Sequence, residues 1–215
     1  MALVLPFTDT TFDATLPVVQ RVLAAHGVMA LPTETYYGLA VCPIQESALR
    51  RLFELKERPA GKPILLLIGS RDQLDHLVAS IPPAARLLMD LFWPGPLTIV
   101  LPAASGLSPL LTGGTGSIGI RISPLPLLRR LLAVTGPLTG TSANRTSELP
   151  PDHADDVQQE LGPALDLILD SGRTPGGLAS TVIDARESPL LLRAGALSTD
   201  VIRAALASQG YALSS

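Results

Sequence analysis

Ile64 to Ile68 is an unbroken run of five apolar residues, closed by Pro63 on one side and Gly69 on the other. It is far shorter than the roughly 20 residues a membrane span needs. It also offers no polar face, so it suits a strand covered on both sides. Segments of helical period surround it. Leu16, Val19, Val22 and Leu23 mark a helix over 13–26 that closes at Gly27. Val28 to Leu31 reads as a buried strand ending at Pro32, and Ala48 to Lys56 as a helix stopping before Pro59. Ser70 with Gln73 has the pattern of a capping box and predicts a helix through about Ala79. Pro83 to Phe92 predicts a helix with proline in its first turn. Strands are expected at 97–101, 118–122, near 138, and at 165–169, 180–183 and 190–193. Helices are expected over 125–134 and 152–161 and after Ser198, with 141–151 as a loop. The expected class is α/β: a single domain over 1–215, its core about 15–200, with a twisted mixed β-sheet and flanking helices.

Several function classes drop out on composition. The opening MALVLPFTDTTFD has neither a basic leader nor a long apolar stretch, so a signal peptide is not expected. With no membrane segment in view, a cytoplasmic protein is the simplest expectation. Cys42 is the only cysteine, which excludes an intrachain disulfide and a cysteine-built metal cluster. His26, His76 and His153 lack metal-ligand spacing, and no Gly-x-Ser-x-Gly elbow is present. A net charge of −3 argues against a general nucleic-acid coat.

The cations are unevenly distributed. Lys56 and Lys62 are the only lysines among 16 basic residues, and both fall in Leu55-Lys56-Glu57-Arg58-Pro59-Ala60-Gly61-Lys62-Pro63. That segment is either a solvated turn or an anion site, since lysine and arginine together suit phosphate or carboxylate. A charge-assisted hydrogen bond is worth roughly 1.5–3 kcal/mol. Two or three on one triphosphate would supply most of the ~8 kcal/mol that micromolar binding needs. Leu31-Pro32-Thr33-Glu34-Thr35-Tyr36-Tyr37-Gly38-Leu39 leaves a strand with hydroxyls, a carboxylate and aromatics, as a turn or as a ligand loop. Trp93 in the Phe92-Trp93-Pro94-Gly95-Pro96 turn reads as a packing anchor. The glycines of 113–119 lack the lysine of a phosphate-binding P-loop. Arg121 follows within an apolar strand, where it either meets an anion or faces water. Gly140-Thr141-Ser142-Ala143-Asn144-Arg145 offers hydroxyl, amide and backbone donors at a strand end, or an ordinary turn. Arg193 could reach a phosphate or lie in a surface ion pair.

In order, PTETYYGL, LKERPAGKP, FWPGPLTIVL, GIRIS, TSAN, STVID and LLRAGAL resemble the YrdC-like threonylcarbamoyl-adenylate synthase family, bacterial short form. The resemblance implies a concave, positively charged groove binding ATP, L-threonine and bicarbonate. The products would be threonylcarbamoyl-adenylate and pyrophosphate, for use by downstream tRNA threonylcarbamoyl-transfer proteins. It assigns catalysis to Lys56, Arg58, Ser142 and Asn144, and L-threonine to Thr33, Tyr37, Arg121 and Ser180. ATP would meet Arg58, Lys62, Ser117, Ser142 and Arg193, with Mg2+ carried in on the nucleotide and no metal site of the protein's own. No accessory C-terminal domain is expected. Tyr36, Leu67, Arg145, Ala179 and Ala194 depart from the family pattern and bear on selectivity. A non-catalytic RNA-binding module and an inactive paralogue of the same fold are the alternatives.

Overall fold

The computed structural model describes every residue except 60, 146–148 and 215, and its strands form two mixed sheets. The first has five strands in the order β1 (Leu3–Pro6), β9 (Leu167–Asp170), β2 (Met29–Pro32), β3 (Tyr37–Ala40) and β8 (Thr141–Ser142). The second has six: β11 (Leu190–Arg193), β10 (Thr181–Asp184), β5 (Leu97–Pro102), β6 (Ser117–Ile122), β4 (Leu66–Ile68) and β7 (Leu138–Thr139). Each sheet mixes parallel and antiparallel pairs, as β10 runs with β5 and β5 against β6. Among the described residues the α-helices are α1 (Phe12–Ala24), α2 (Glu46–Lys56), α3 (Pro83–Phe92), α4 (Pro109–Thr112), α5 (Pro126–Thr135), α6 (Ala154–Leu161) and α7 (Thr199–Ala207).

Strand residues divide between two apolar cores by simple alternation. In β4, Leu66 and Ile68 join one core while Leu67 joins the other. In β2 and β9, Met29, Leu31, Leu167 and Leu169 face the core packed by α1 and α5, and Ala30 and Ile168 face the opposite one. This double coverage explains the unbroken apolar runs. The six-stranded sheet behaves differently along β5, β6 and β10. Leu97, Ile99, Leu101, Ile118, Ile120, Ile122 and Ile183 enter the larger core. The residues between them, Thr98, Val100, Gly119 and Arg121, face the other way. Trp93 is buried, its indole N–H donating to Leu97 O at 2.7 Å, as a packing anchor should.

Four local expectations change. The segment after Ser70 is a 3-10 helix over Arg71–His76, and Ser70 makes no capping bond. Gln73 instead bridges Gly69 N–H and Leu132 O, both at 2.8 Å, which ties the segment to α5. Within the expected loop 141–151, Thr141–Ser142 pairs with β3 as a strand; residues 146–148 of that loop lie outside those described. Leu3–Pro6, ahead of the expected core, pairs with β9 at the sheet edge. Tyr37–Ala40 continues from the hairpin as β3 rather than as loop.

Ile120 sits at the centre of the six-stranded sheet, paired with Ile99 and Leu66 and fully buried. Ile120→Ala is expected to lower the unfolding free energy by about 2–5 kcal/mol, measured by urea denaturation. A loss within about 0.5 kcal/mol, the range of a surface change, would place this strand outside the core.

Candidate functional site

The face of the six-stranded sheet turned away from the larger core lines a cavity of about 700 Å³. That volume suits a small-molecule ligand. Its floor is built by alternation: Thr98 and Val100 from β5, Ser117, Gly119 and Arg121 from β6, Val182 and Asp184 from β10, and Leu190, Leu192 and Arg193 from β11. Register sets Val100 opposite Gly119 and beside Asp184, and Val182 beside Thr98. Gly119 keeps this floor low, because a Cβ there would come 3.3 Å from Thr98 Cγ2. The facing wall comes from the other sheet: the Thr33–Tyr37 hairpin turn, Gly38 of β3, and Thr141 and Ser142 of β8.

Lys56 and Arg58 reach the site by different routes. Helix α2 ends at Lys56, and Glu57 takes a left-handed conformation with φ of 49°. Lys56 is 4% exposed and lies off the cavity lining. Its ammonium donates to Ser142 O at 2.5 Å and Asn144 O at 2.8 Å, with Asn144 Oδ1 at 3.4 Å. Lys56 thus fixes the course of the 142–144 turn. Arg58 lines the cavity, and its guanidinium donates to Lys62 O at 3.2 Å and Pro63 O at 2.6 Å. Ala60 of this segment lies outside the described residues. Burial, and then the nearby Arg58 charge, lower the Lys56 pKa to about 8.

The remaining expected residues divide in the same way. Thr33, Tyr37, Arg121, Ser180, Ser117, Ser142 and Arg193 line the cavity together, whereas Lys62 and Asn144 do not. Arg121 is 5% exposed and pairs with Glu34 at 3.3 Å. Burial lowers its pKa, and Glu34 opposes that shift while Arg193 adds to it. Among the described residues Arg193 has no ion-pair partner; it donates to Ser180 O from Nη2 at 2.8 Å and from Nε at 3.2 Å. The Ser180 hydroxyl meets Thr98 Oγ1 at 2.8 Å. Thr33 Oγ1 donates to Tyr36 O at 2.7 Å and shapes the hairpin turn. Tyr37 donates from its hydroxyl to Gly172 O at 2.7 Å, and burial raises its pKa to about 12. Tyr36, also on the wall, donates to Gly177 O at 2.6 Å.

Thr98, Gly119, Asp184 and Arg186 line the cavity although none was singled out beforehand. For Thr98, Gly119 and Asp184 the signal was period two: polar or missing side chains recurring on one face of strands otherwise built largely of Leu, Ile and Val. Among the described residues no group of three or more His, Cys, Asp or Glu gathers as a metal site. No helix among them is long and apolar enough to cross a membrane.

Residues 21–195 match the Sua5/yciO/yrdC family, described as telomere recombination. A threonylcarbamoyl-AMP synthase of Pyrococcus abyssi is 38% identical over 177 residues, which is 81% of this chain and 52% of that protein. One of Idiomarina loihiensis is 38% identical over 157 residues, 72% of this chain and 83% of that one. The crystal structure of P. abyssi Sua5 complexed with L-threonine superposes with a TM-score of 0.89 at 31% identity, covering 99% of this chain and 62% of that one. The chain thus spans about half the length of the Pyrococcus relative.

At neutral pH Lys56 is an ammonium with carbonyl oxygens around it, and loss of the proton would turn a lone pair toward one of them. The Lys56 side-chain NMR signal is expected to titrate near pH 8, below the ordinary lysine value of 10.5 because its pKa is lowered. Amide signals of 142–144 should shift with the same midpoint. A Lys56 titration at the ordinary value would show that the ammonium is solvated and does not hold this turn.

Proposed function

Because the chain belongs to the Sua5/yciO/yrdC family, we propose that it joins L-threonine, bicarbonate and ATP into threonylcarbamoyl-adenylate, releasing pyrophosphate. The observation that carries this reading is the convergence of Arg58, Arg121 and Arg193 with Ser117, Ser142 and Ser180 on one cavity. Those side chains come from segments far apart in the chain and are drawn from both sheets. The naming of relatives as threonylcarbamoyl-AMP synthases, and the binding of L-threonine by a structural neighbour, support the choice of substrates.

The chemistry fits the residues. Threonine's amine attacks carbon dioxide derived from bicarbonate and loses a proton, giving a carbamate. A carbamate oxygen then attacks the α-phosphorus, and the bond from that phosphorus to the bridging oxygen of pyrophosphate breaks. Both steps gather negative charge, so they call for positioning and fixed donors more than for an acid–base pair. Arg121 suits the amino-acid carboxylate, while Arg58, Arg193, Ser117 and Ser142 suit the phosphates. Lys56 acts one layer back: with Asn144 it holds the turn that presents Ser142. Asp184 is the one carboxylate among the described lining residues, so Mg2+ is assigned to the triphosphate as its carrier. The product is a mixed anhydride that an amine can open. Its proposed use is transfer to a tRNA adenosine by partner proteins.

The test is pyrophosphate release by the pure protein with ATP, bicarbonate and L-threonine, omitting each in turn. Release is expected only with all three present. Release without threonine, or none in the full mixture, would reject the reaction. Lys56→Ala is expected to cut turnover at least about tenfold by misplacing the turn, with the circular dichroism spectrum unchanged. Full turnover in that variant would remove Lys56 from the working site.

A further inference from the structure

Glu34 is a carboxylate in the hairpin turn to which the reaction gives no task, and it is not on the cavity lining. It lies behind Arg121, with side chains 9% and 6% exposed respectively. Ser123 Oγ donates to Glu34 Oε2 at 2.7 Å and itself accepts Leu125 N–H at 3.2 Å. The other carboxylate oxygen, Oε1, stands 3.3 Å from Arg121 Nη1 and makes no hydrogen bond. That separation is longer than the 2.7–2.9 Å of a tight charge-assisted bond. Arg121 Nε, also buried, has no hydrogen-bond partner among the described residues. The contact therefore attracts and locates the guanidinium without occupying its two-pronged edge. Arg193 is the nearby like charge that would push Arg121 away if Glu34 were lost.

We propose that Glu34 is a positioning residue, anchored by Ser123, that holds the Arg121 guanidinium in place for the α-carboxylate of the amino-acid substrate. This rests on the reading that the cavity binds an amino acid beside a nucleotide. Two consequences separate it from a general structural role. Loss of Glu34 affects the amino acid and spares the nucleotide. It also erases the preference for a substrate with a carboxylate over one without.

The experiment is calorimetric titration of L-threonine, L-threonine amide and ATP, each alone, into wild type, Glu34→Ala and Glu34→Gln. Glu34→Ala is expected to weaken L-threonine at least about tenfold, the loss of one charge-assisted contact. ATP should stay within about twofold, and the preference for L-threonine over its amide should largely vanish. Glu34→Gln keeps an oxygen toward Arg121 and an amide toward Ser123, so it should fall between wild type and Glu34→Ala. If Glu34→Ala does not fold, Glu34→Gln carries the comparison, and it must lose part of the preference. Equal weakening of L-threonine and ATP, or wild-type preference in the folded variants, would overturn the role of Glu34. Wild-type protein that binds no L-threonine would overturn the amino-acid site itself, a distinguishable result.

Discussion

The pleat of β5, β6 and β10 is the constraint on which the rest of the molecule depends. One face of these strands must be apolar enough to close the larger core, and Leu97, Ile99, Ile118, Ile120 and Ile183 meet that demand with full burial. Alternation then forces the intervening residues to the opposite face, where Thr98, Ser117, Gly119, Arg121 and Asp184 stand in fixed rows. A one-residue slip in register would exchange the two sets, driving Arg121 into the core and Ile120 into the cavity. The stability of the domain and the layout of the site are thus the same fact seen from two sides of one sheet.

A half-buried cation is costly unless its hydrogen bonds are met. The chain meets that cost in a way that leaves the cavity's charge intact. Lys56, Arg58 and Arg193 are all held by backbone carbonyl oxygens, which satisfy donors without cancelling charge. Burial lowers the pKa of each of the three. Arg121 is paired with the Glu34 carboxylate, and that pair is loose. Donors fixed in this way need little reorganisation when a phosphate or carboxylate arrives, which is the condition for electrostatic stabilisation of developing charge. Had Arg58 and Arg193 also been matched by carboxylates, the same geometry would offer an anion far less.

Much of this was legible in the sequence, and the gaps have physical causes. The helix at Pro83–Phe92 and the strands at 97–102 and 117–122 carry strong local signals, since proline at a first turn and blocks of Leu, Ile and Val leave few alternatives. β8 escaped notice because two residues have no period; only its pairing with β3 makes Thr141–Ser142 a strand. Ser70 and Gln73 imitate a capping box, yet Gln73 gains two bonds by reaching α5, a tertiary contact that overrides a local pattern. The Lys56–Arg58 spacing showed that two cations lie close together. It could not show that a left-handed Glu57 would turn them to different tasks, one behind the wall and one on it.

Tyr37 shows how tightly the wall is bound to the rest. Its N–H donates to Pro151 O at 3.0 Å, its carbonyl accepts from Ala143 N–H at 2.9 Å, and its hydroxyl spans to Gly172 O. One β3 residue therefore fastens the turn carrying Ser142, the approach to α6, and the segment after β9. That last segment leads through Gly176 and Gly177 to Ser180 on the floor, and Gly176 N–H is tied back to Thr35 O at 2.7 Å. Burial raises the Tyr37 pKa to about 12, so the hydroxyl keeps its proton wherever the protein is folded under ordinary conditions. This bond to Gly172 O does not switch with pH, whereas the Lys56 ammonium, which donates to Ser142 O and Asn144 O, loses its proton near pH 8. The turn carrying Ser142 is thus held by a backbone bond from Ala143 N–H to Tyr37 O, which pH leaves alone, and by an ammonium that alkaline solution can disarm.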